Sequence, residues 1–275
     1  MDVHKIVTIQ DISCYGQCSI TVALPILSAY GFETAIIPSA ILSTHTSGFK
    51  DYHVHDLSDE IPEIIHHWKK EDIKFDCLYV GYLGEKKHFD YVRTIKNELL
   101  NKEAPFVLDP VLGDKGKLYP AFNNEYVEGM RLLLKEADII TPNITEASLL
   151  TNIPFKDKYD VEYIMSLLKG LKALTNATII LTGVSYEKDT TGVVVYDYNY
   201  RYFEHDLINA EYHGTGDIYT STFVGNLLRT GDMFKSAAIA AEFVYRSIQN
   251  TIDDPNHPYG VKFEPILVDF IKNIR

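Results

Sequence analysis

Residues 77–110 read CLYVGYLGEKKHFDYVRTIKNELLNKEAPFVLDP, and this segment indicates the fold class most clearly. Four apolar residues at 77–80 predict a buried strand, and a glycine-flanked turn follows it. Residues 88–100 repeat apolar side chains at helical spacing. The apolar run at 106–108 predicts a second strand, which ends at Asp109-Pro110. A strand, a helix and a strand in this order predict two parallel strands joined by a crossover helix.

The same alternation extends over the rest of the chain. Further strands are predicted at residues 6–9, 33–37, 139–140, 178–182, 192–196 and 200–204, and helices at 17–30, 58–70, 217–250 and 264–274. Because parallel strands are buried on both faces, their sequences are continuously apolar, as they are here. The pattern therefore predicts an α/β fold: a mostly parallel central sheet with helices on both faces, plus small β-hairpin or flap elements. Without a linker-like segment or a repeat, residues 1–275 are expected to form a single domain.

Composition and charge argue against several classes of protein. The 275 residues are 46% hydrophobic and 23% charged, as in an ordinary globular protein. The formal net charge of −12 argues against non-specific binding of nucleic acid or of an anionic membrane. No apolar run reaches the ~18 residues of a membrane span, and a cytoplasmic location is expected. The three cysteines, Cys14, Cys18 and Cys77, are too few for a disulfide framework and indicate reduced thiols.

The strongest functional signal is the loop His213-Gly214-Thr215-Gly216-Asp217, which precedes a predicted helix. Its glycines permit a tight backbone, and the first amides of the helix can bind an anion such as a phosphoryl group. Asp217 can accept a proton from an attacking hydroxyl. A plain turn with a capping Asp explains the same residues, and spacing alone does not choose between the two. The motifs GxGxxG and GxxxxGK[ST] are absent, which argues against a dinucleotide-binding fingerprint and a Walker loop.

Two further motifs follow predicted strands, at the edge of a parallel sheet where ligands usually bind. Asp109 and Asp114 flank a Pro-Gly segment, and paired carboxylates suit Mg²⁺ held through water, although a turn with solvated acids is equally compatible. Asn143 and Glu146 stand three residues apart at the start of a helix. Glu146 is either a ligand-binding residue or a first-turn acid favoured by the helix dipole.

These motifs, together with three others, resemble those of the ribokinase-like kinases and, within them, the pyridoxal (vitamin B6) kinases. The others are residues 10–16 (QDISCYG), 42–46 (LSTHT) and 81–84 (GYLG), and the resemblance extends over nearly the whole chain. The segment 214–217 is typical of the superfamily. Within the superfamily, residues 42–46 and 81–84 are the segments that point to vitamin B6.

The resemblance implies ATP-dependent phosphorylation of the 5′-hydroxymethyl group of pyridoxal, pyridoxamine or pyridoxine. It implies Asp217 as the catalytic base, the amides of Gly214, Thr215 and Gly216 as an anion hole, and a homodimer. Whether a monovalent cation assists stays open. The implied binding residues are Asp11, His45, Thr46, Tyr82 and Asp217 for the vitamer, Asn143, Glu146, Thr182, Gly214 and Gly216 for ATP, and Asp114 and Glu146 for Mg²⁺.

Two residues depart from the family pattern: Asp11 stands where Ser is usual, and Thr44 where Asn is usual. An Asp can bind a ring hydroxyl or a protonated pyridine nitrogen, and it can also change which substrate fits. The alternatives are a hydroxymethylpyrimidine kinase of thiamin synthesis, a sugar kinase of the same superfamily, and a vitamin-binding sensor without catalysis. The two kinase alternatives rank second and third, because the glycine-rich early segments of those families are absent here. A flap that excludes water is expected at residues 114–119 or 186–191, and the sequence does not choose between them.

Overall fold

A computed structural model describes residues 4–46, 48–257 and 259–274. Its strands are β1 (Lys5–Ser13), β2 (Glu33–Leu42), β3 (Val54–Asp56), β4 (Cys77–Val80), β5 (Phe106–Leu108), β6 (Gly113–Asp114), β7 (Lys117–Leu118), β8 (Ile139–Ile140), β9 (Thr178–Val184), β10 (Thr190–Tyr196) and β11 (Tyr200–Asp206). Strands β6 and β7 form a separate hairpin, and the others form the main sheet.

The main sheet has the strand order β11-β10-β9-β8-β5-β4-β1-β2-β3. From β2 to β9 the neighbouring strands are parallel, whereas β3 and the β10–β11 hairpin add antiparallel edges. The segment quoted first pairs as predicted, with Leu78 opposite Phe106 and Val80 opposite Leu108. The chain proceeds in opposite directions on the two sides of β1, and such a switch point opens a crevice at the carboxyl ends of the strands.

Helices cover both faces of the sheet. They are α1 (Ile20–Ala29), α2 (Ile61–Lys70), α3 (Lys87–Leu99), α4 (Asn124–Leu133), α5 (Ile144–Thr151), α6 (Val161–Leu174), α7 (Thr215–Thr230), α8 (Met233–Gln249) and α9 (Glu264–Ile274). Val7 belongs to the buried cluster that includes side chains of α2–α6. Its neighbour Ile6 belongs to the cluster on the other face, which includes side chains of α1, α7 and α8. Because side chains alternate along a strand, a continuous apolar run serves both layers. The predicted α/β fold is confirmed.

Some boundaries differ from those predicted. The region 217–250 divides into two helices, because Gly231 ends α7 at a φ of 69° and Asp232 caps α8 through the amide of Lys235. Strand β2 continues to Leu42, and the exposed strand β3 has no apolar run that could have predicted it. Among the described residues, no helix is both long and apolar enough to cross a membrane.

Candidate active site

Two adjoining pockets open at the carboxyl edge of the sheet. We name the first, of about 410 Å³, the aromatic pocket because Tyr52, Tyr82 and Tyr119 line it. The second, of about 430 Å³, is named the glycine pocket because Gly183, Gly192, Gly214 and Gly216 line it. Residues that border both pockets are Val111, Tyr119, His213, Gly214 and Asp217. A group held in one pocket can therefore meet a group held in the other at this boundary.

The boundary is built by the loop that starts α7. Gly214 has a φ of 78°, and a Cβ there would lie 1.8 Å from the carbonyl oxygen of Gln17, so the position requires glycine. A Cβ at Gly216 would meet nothing nearer than Asp109 Oδ2 at 4.0 Å, which leaves open space beside the loop. The first amides of a helix have no intrahelical partner. The loop therefore presents unpaired N–H groups and the positive end of the helix dipole at the glycine pocket.

Asp217 lies in the first turn of α7 at the boundary. Its Oδ2 accepts a hydrogen bond of 2.9 Å from the backbone N–H of Ser19. Burial raises the pKa of Asp217 to about 7; the hydrogen bond from Ser19 opposes this effect, and the charge of Asp11 adds to it. A carboxyl group with a pKa near neutrality suits the exchange of a proton with an alcohol.

Asp11, on β1, forms the buried end of the aromatic pocket and is 5% exposed. It accepts hydrogen bonds from Ser13 Oγ at 3.0 Å and from Ser19 Oγ at 2.5 Å. Burial raises the pKa of Asp11, and the two hydroxyl groups partly offset that rise. Ser19, with a φ of 55°, thus contacts Asp11 through its side chain and Asp217 through its backbone.

His45 and Tyr82 complete the polar lining, together with Thr46. Buried His45 directs Nε2 at the carbonyl oxygen of Tyr259, 2.9 Å away, so Nε2 carries the proton. Its Nδ1 is buried and has no hydrogen-bond partner within the described parts of the chain. All five residues predicted to bind the vitamer therefore lie together in the aromatic pocket, Asp11 and Asp217 among them.

The glycine pocket gathers every residue predicted to bind ATP. Asn143 and Glu146 form a reciprocal cap at the start of α5, each accepting the other's backbone N–H at 2.8 Å. Glu146 Oε1 also accepts from the amide of Leu112 at 3.0 Å. Glu146 is therefore an acid in the first turn of α5 that also caps the helix, and the same carboxylate lines the glycine pocket. Thr182, near the end of β9, pairs with Asn143 in an isolated parallel β-bridge.

Asp109 was offered for Mg²⁺ by the paired-carboxylate motif but was not in the metal set implied by the family resemblance, and it lines the glycine pocket. It is 6% exposed, and its Oδ2 accepts from Thr220 Oγ1 at 3.1 Å. Burial and the nearby charges of Glu146 and Asp217 raise the pKa of Asp109 well above its usual range. Asp114, which was placed in that set, lines the same pocket from the hairpin but is exposed. The signal for Asp109 was present, because it stands directly after a buried strand.

These carboxylates fit a divalent cation. Burial raises the pKa of Glu146 to about 8, although backbone hydrogen bonds oppose it. The charge of Glu146 raises the pKa of Asp109, and that of Asp114 raises the pKa of Glu146. A positive ion beside such carboxyl groups stabilises their anionic forms. Within the described residues no group of three His, Cys, Asp or Glu side chains is arranged as a metal cage. Mg²⁺ often binds through one or two carboxylates and takes its other ligands from water and phosphate.

The far end of the glycine pocket is apolar and had no motif to predict it. Strand β10 contributes Val193, and helix α8 contributes Ala241, Val244 and Ile248. These residues lie far apart in sequence, so the apolar surface exists only after the sheet edge and α8 pack together. Such a surface suits a flat, largely apolar ring beside the anion-binding loop.

Comparisons with known proteins agree with this geometry. The family model described as phosphomethylpyrimidine kinase matches residues 20–260. The crystal structure of pyridoxal kinase from Lactobacillus plantarum superposes with a TM-score of 0.91 and 31% identity, covering 99% of this chain and 98% of that one. A Bacteroides thetaiotaomicron VPI-5482 protein provisionally described as a phosphomethylpyrimidine kinase, in a crystal form with pyridoxal, gives a TM-score of 0.90 and 35% identity over 98% and 96% of the two chains. The pyridoxal kinase of Arabidopsis thaliana is 25% identical over 265 residues, 92% of this chain and 84% of that protein.

Proposed function

This chain belongs to the phosphomethylpyrimidine kinase family, and from its similarity to the pyridoxal kinases of Lactobacillus plantarum and Arabidopsis thaliana we propose that it is a pyridoxal kinase with the ribokinase-like fold. It transfers the terminal phosphoryl group of ATP to the 5′-hydroxymethyl group of pyridoxal, pyridoxamine or pyridoxine. The observation that carries the proposal is the position of Asp217 and Gly214, which border both pockets. An acceptor in the aromatic pocket and a phosphate chain in the glycine pocket meet there. Residues 1–275 then act as one kinase domain.

The aromatic pocket binds the vitamer ring. Tyr82 supplies an aromatic wall, and its own ring packs 5.5 Å from that of Phe122, which fixes its orientation. The free Nδ1 of His45 and the carboxylate of Asp11 offer hydrogen bonds to polar ring substituents. Thr46 lines the same wall. A largely apolar pocket with a few convergent polar groups suits a small substituted ring.

The transfer takes place at the start of α7. The hydroxymethyl oxygen attacks the terminal phosphorus, its proton passes to the carboxylate of Asp217, and ADP leaves with the electrons of the broken P–O bond. The amides of Gly214, Thr215 and Gly216 stabilise the negative charge on the phosphoryl oxygens during transfer. This arrangement needs positioning and charge neutralisation and no covalent intermediate on the protein.

Mg²⁺ bound with ATP would neutralise phosphate charge, since the described lining of the glycine pocket contains no lysine or arginine to do so. Asp109, Asp114 and Glu146 are the residues that would hold it, directly or through water. Asn143 and Thr182 lie beside them and are placed to contact phosphate oxygens.

The hairpin of β6 and β7 is the better candidate for the flap. Tyr119, which follows it, borders both pockets, whereas Thr191 of the other candidate segment borders only the glycine pocket. An ion pair of 2.5 Å between Lys115 and Glu211 links the hairpin to the segment that precedes Gly214. A flap in this position covers the boundary and excludes water from the transfer.

ADP release measured in parallel with pyridoxal, pyridoxamine, pyridoxine and hydroxymethylpyrimidine tests the proposal. We expect kcat/KM for at least one vitamer to exceed that for the pyrimidine by about tenfold or more, the scale on which related substrates are discriminated. Mass spectrometry of the product should find one added phosphate. Preference for the pyrimidine would support the thiamin-pathway alternative, which the family description favours. No turnover by folded protein would support the sensor. Homodimerisation stays a prediction, which light scattering would check.

A further inference from the structure

The aromatic pocket is lined by two acidic groups. It contains the carboxylates Asp11 and Asp217 and, among the described residues that line it, no lysine or arginine. Its other titratable groups are the thiol of Cys18, the imidazoles of His45 and His213, and the phenols of Tyr52, Tyr82 and Tyr119. Burial and the neighbouring His45 lower the pKa of His213, so it adds no positive charge at neutral pH. The groups of the lining that can carry negative charge are therefore the carboxyl groups of Asp11 and Asp217.

Asp11 has no lysine or arginine beside it in the described lining, and the basic group that lowers its pKa is the imidazole of His45. The two oxygens of Asp11 accept the hydroxyl groups of Ser13 and Ser19, which orient the carboxylate but carry no charge. The side chain is nevertheless nine-tenths or more buried and borders the pocket. Burial removes the water that would solvate a carboxylate. A positive group in a ligand therefore stabilises the ionised form of a buried carboxyl group that has no lysine or arginine beside it.

Both linings contain carboxyl groups and, among the described residues, no lysine or arginine: Asp109, Asp114, Glu146 and Asp217 in the glycine pocket, and Asp11 and Asp217 in the aromatic pocket. The glycine pocket differs because its carboxyl groups would hold Mg²⁺ and the first amides of α7 can bind an anion there. Ser19 holds Asp11 and Asp217 together by donating to both. An acceptor that already carries a phosphate would bring further negative charge to this pair, and no described cation in the lining would offset it.

We propose, as an extension of the proposed function, that Asp11 makes the aromatic pocket select acceptors by charge. A positive charge on the ring or its substituents strengthens binding, a negative charge weakens it, and an alcohol that already carries a phosphate is rejected. This restricts the acceptor class more narrowly than the family description does.

Binding of three ligands that share a ring tests the selection. Pyridoxamine, pyridoxine and 4-pyridoxic acid differ at one substituent, which is cationic, neutral or anionic. Calorimetry with Mg²⁺ and a non-hydrolysable ATP analogue should give dissociation constants that rise in that order, about tenfold or more from first to last, because two charges a few ångströms apart interact strongly in a part-buried site. Equal affinities for the three ligands would overturn the proposal.

Asp11→Asn keeps the shape of the side chain and removes its charge. The ratio of the dissociation constants of 4-pyridoxic acid and pyridoxamine, here called the spread, should then fall about fivefold or more. Asp253→Asn removes the same charge from an exposed position and should leave the spread unchanged. An unchanged spread in folded Asp11→Asn would contradict the role of Asp11. Asp11→Ser, which restores the residue usual in the resembling family, provides a second variant if the first does not fold.

The phosphorylated acceptor provides an independent readout. Wild-type protein incubated with Mg²⁺, ATP and hydroxymethylpyrimidine phosphate should yield no diphosphate. Diphosphate formed as fast as a vitamer is phosphorylated would overturn the inference. Turnover of neutral pyridoxine tests the proposed function separately. If pyridoxine is phosphorylated but the three ligands bind equally, only this inference fails. If no vitamer is bound or phosphorylated, both the inference and the proposed function fail.

Discussion

The aromatic and glycine pockets share the residues of their boundary, yet the rest of each lining comes from different parts of the protein. The glycine pocket presents backbone amides and glycines whose conformation the loop at Gly214 determines. The aromatic pocket presents side chains from β1, the end of β2 and the segments after β2 and β4. Backbone recognition leaves a local mark in the sequence, because only glycine fits a positive φ and a close approach. Side-chain recognition depends on which distant residues the sheet brings together.

Asp217 is where the two pockets depend on each other most. Asp217→Asn keeps the size of the side chain and removes its ability to accept the substrate proton. We expect kcat to fall by about 10² or more, which is the usual range for a general base. The measurement is ADP release with saturating vitamer and ATP. Near-normal turnover of a folded variant would mean that the acceptor does not reach this carboxylate.

Gly214 and Gly231 lie at opposite ends of α7 and offer a matched pair. Both have a positive φ, 78° and 69°, but a Cβ at Gly214 would collide with Gln17, whereas one at Gly231 has nothing within 4 Å. Gly214→Ala should lower kcat by about 10²-fold, since displaced amides no longer stabilise the transferring group.

The control, Gly231→Ala, should cost only about 1 kcal/mol of stability through backbone strain and keep its kcat. Thermal melts and initial rates of both variants separate the two effects. Equal loss of activity in both would indicate that α7 as a whole, and not the anion loop, had been disturbed.

Glu146 tests the polar wall of the glycine pocket. Glu146→Gln removes a charge that is buried beside Asp109, and about tenfold more Mg²⁺ should then be needed for half-maximal activity. The magnesium dependence of the rate measures this. Asp160→Asn makes the same acid-to-amide change at the start of α6, where Asp160 caps Tyr163 N outside both pockets, and its magnesium dependence should be unchanged.

The smallest expected effect is on the pH dependence of stability. Burial raises the pKa of Asp217 from 3.8 to about 7, so the folded state holds a proton that the unfolded chain releases between these values. The burial of this carboxyl group therefore destabilises the fold progressively from pH 4 to pH 7 and by a constant amount above it. The Tm of Asp217→Asn should exceed that of wild type by a few degrees more at pH 8 than at pH 4.5. A difference in Tm that does not change with pH would mean that Asp217 is solvated.

Much of the fold could be predicted because its strands are buried on both sides. The run at 77–80 and the run at 106–108 have no polar residue, and both are strands. The edge strand β3 could not be predicted, since the three residues from Val54 are exposed and have neither an apolar run nor an alternating pattern. The start of α1 was predicted too early, because Ser19 adopts a φ of 55° while it contacts Asp11 and Asp217.

The candidate site divides in the same way. The residues predicted to bind the vitamer all line the aromatic pocket, and those predicted to bind ATP all line the glycine pocket. Most of their motifs follow neighbouring strands, which brings them to the same edge of the sheet. The contact of Asp109 with Thr220, the contacts of Ser19 with Asp11 and Asp217, and the apolar surface near Val244 were not predicted. Each depends on the packing of elements that are far apart in the sequence, which no local pattern records.

By itself, then, the amino-acid sequence determined the layered architecture and the anion-binding loop, since apolar periodicity and glycine stereochemistry act between near neighbours in the chain. Only the tertiary structure decided which carboxylates stay buried together and which carry uncompensated charge. The reason is that burial and electrostatic interaction depend on distance in space. Asp11 and Asp217, about two hundred residues apart, contact the same serine once α1 and α7 pack side by side.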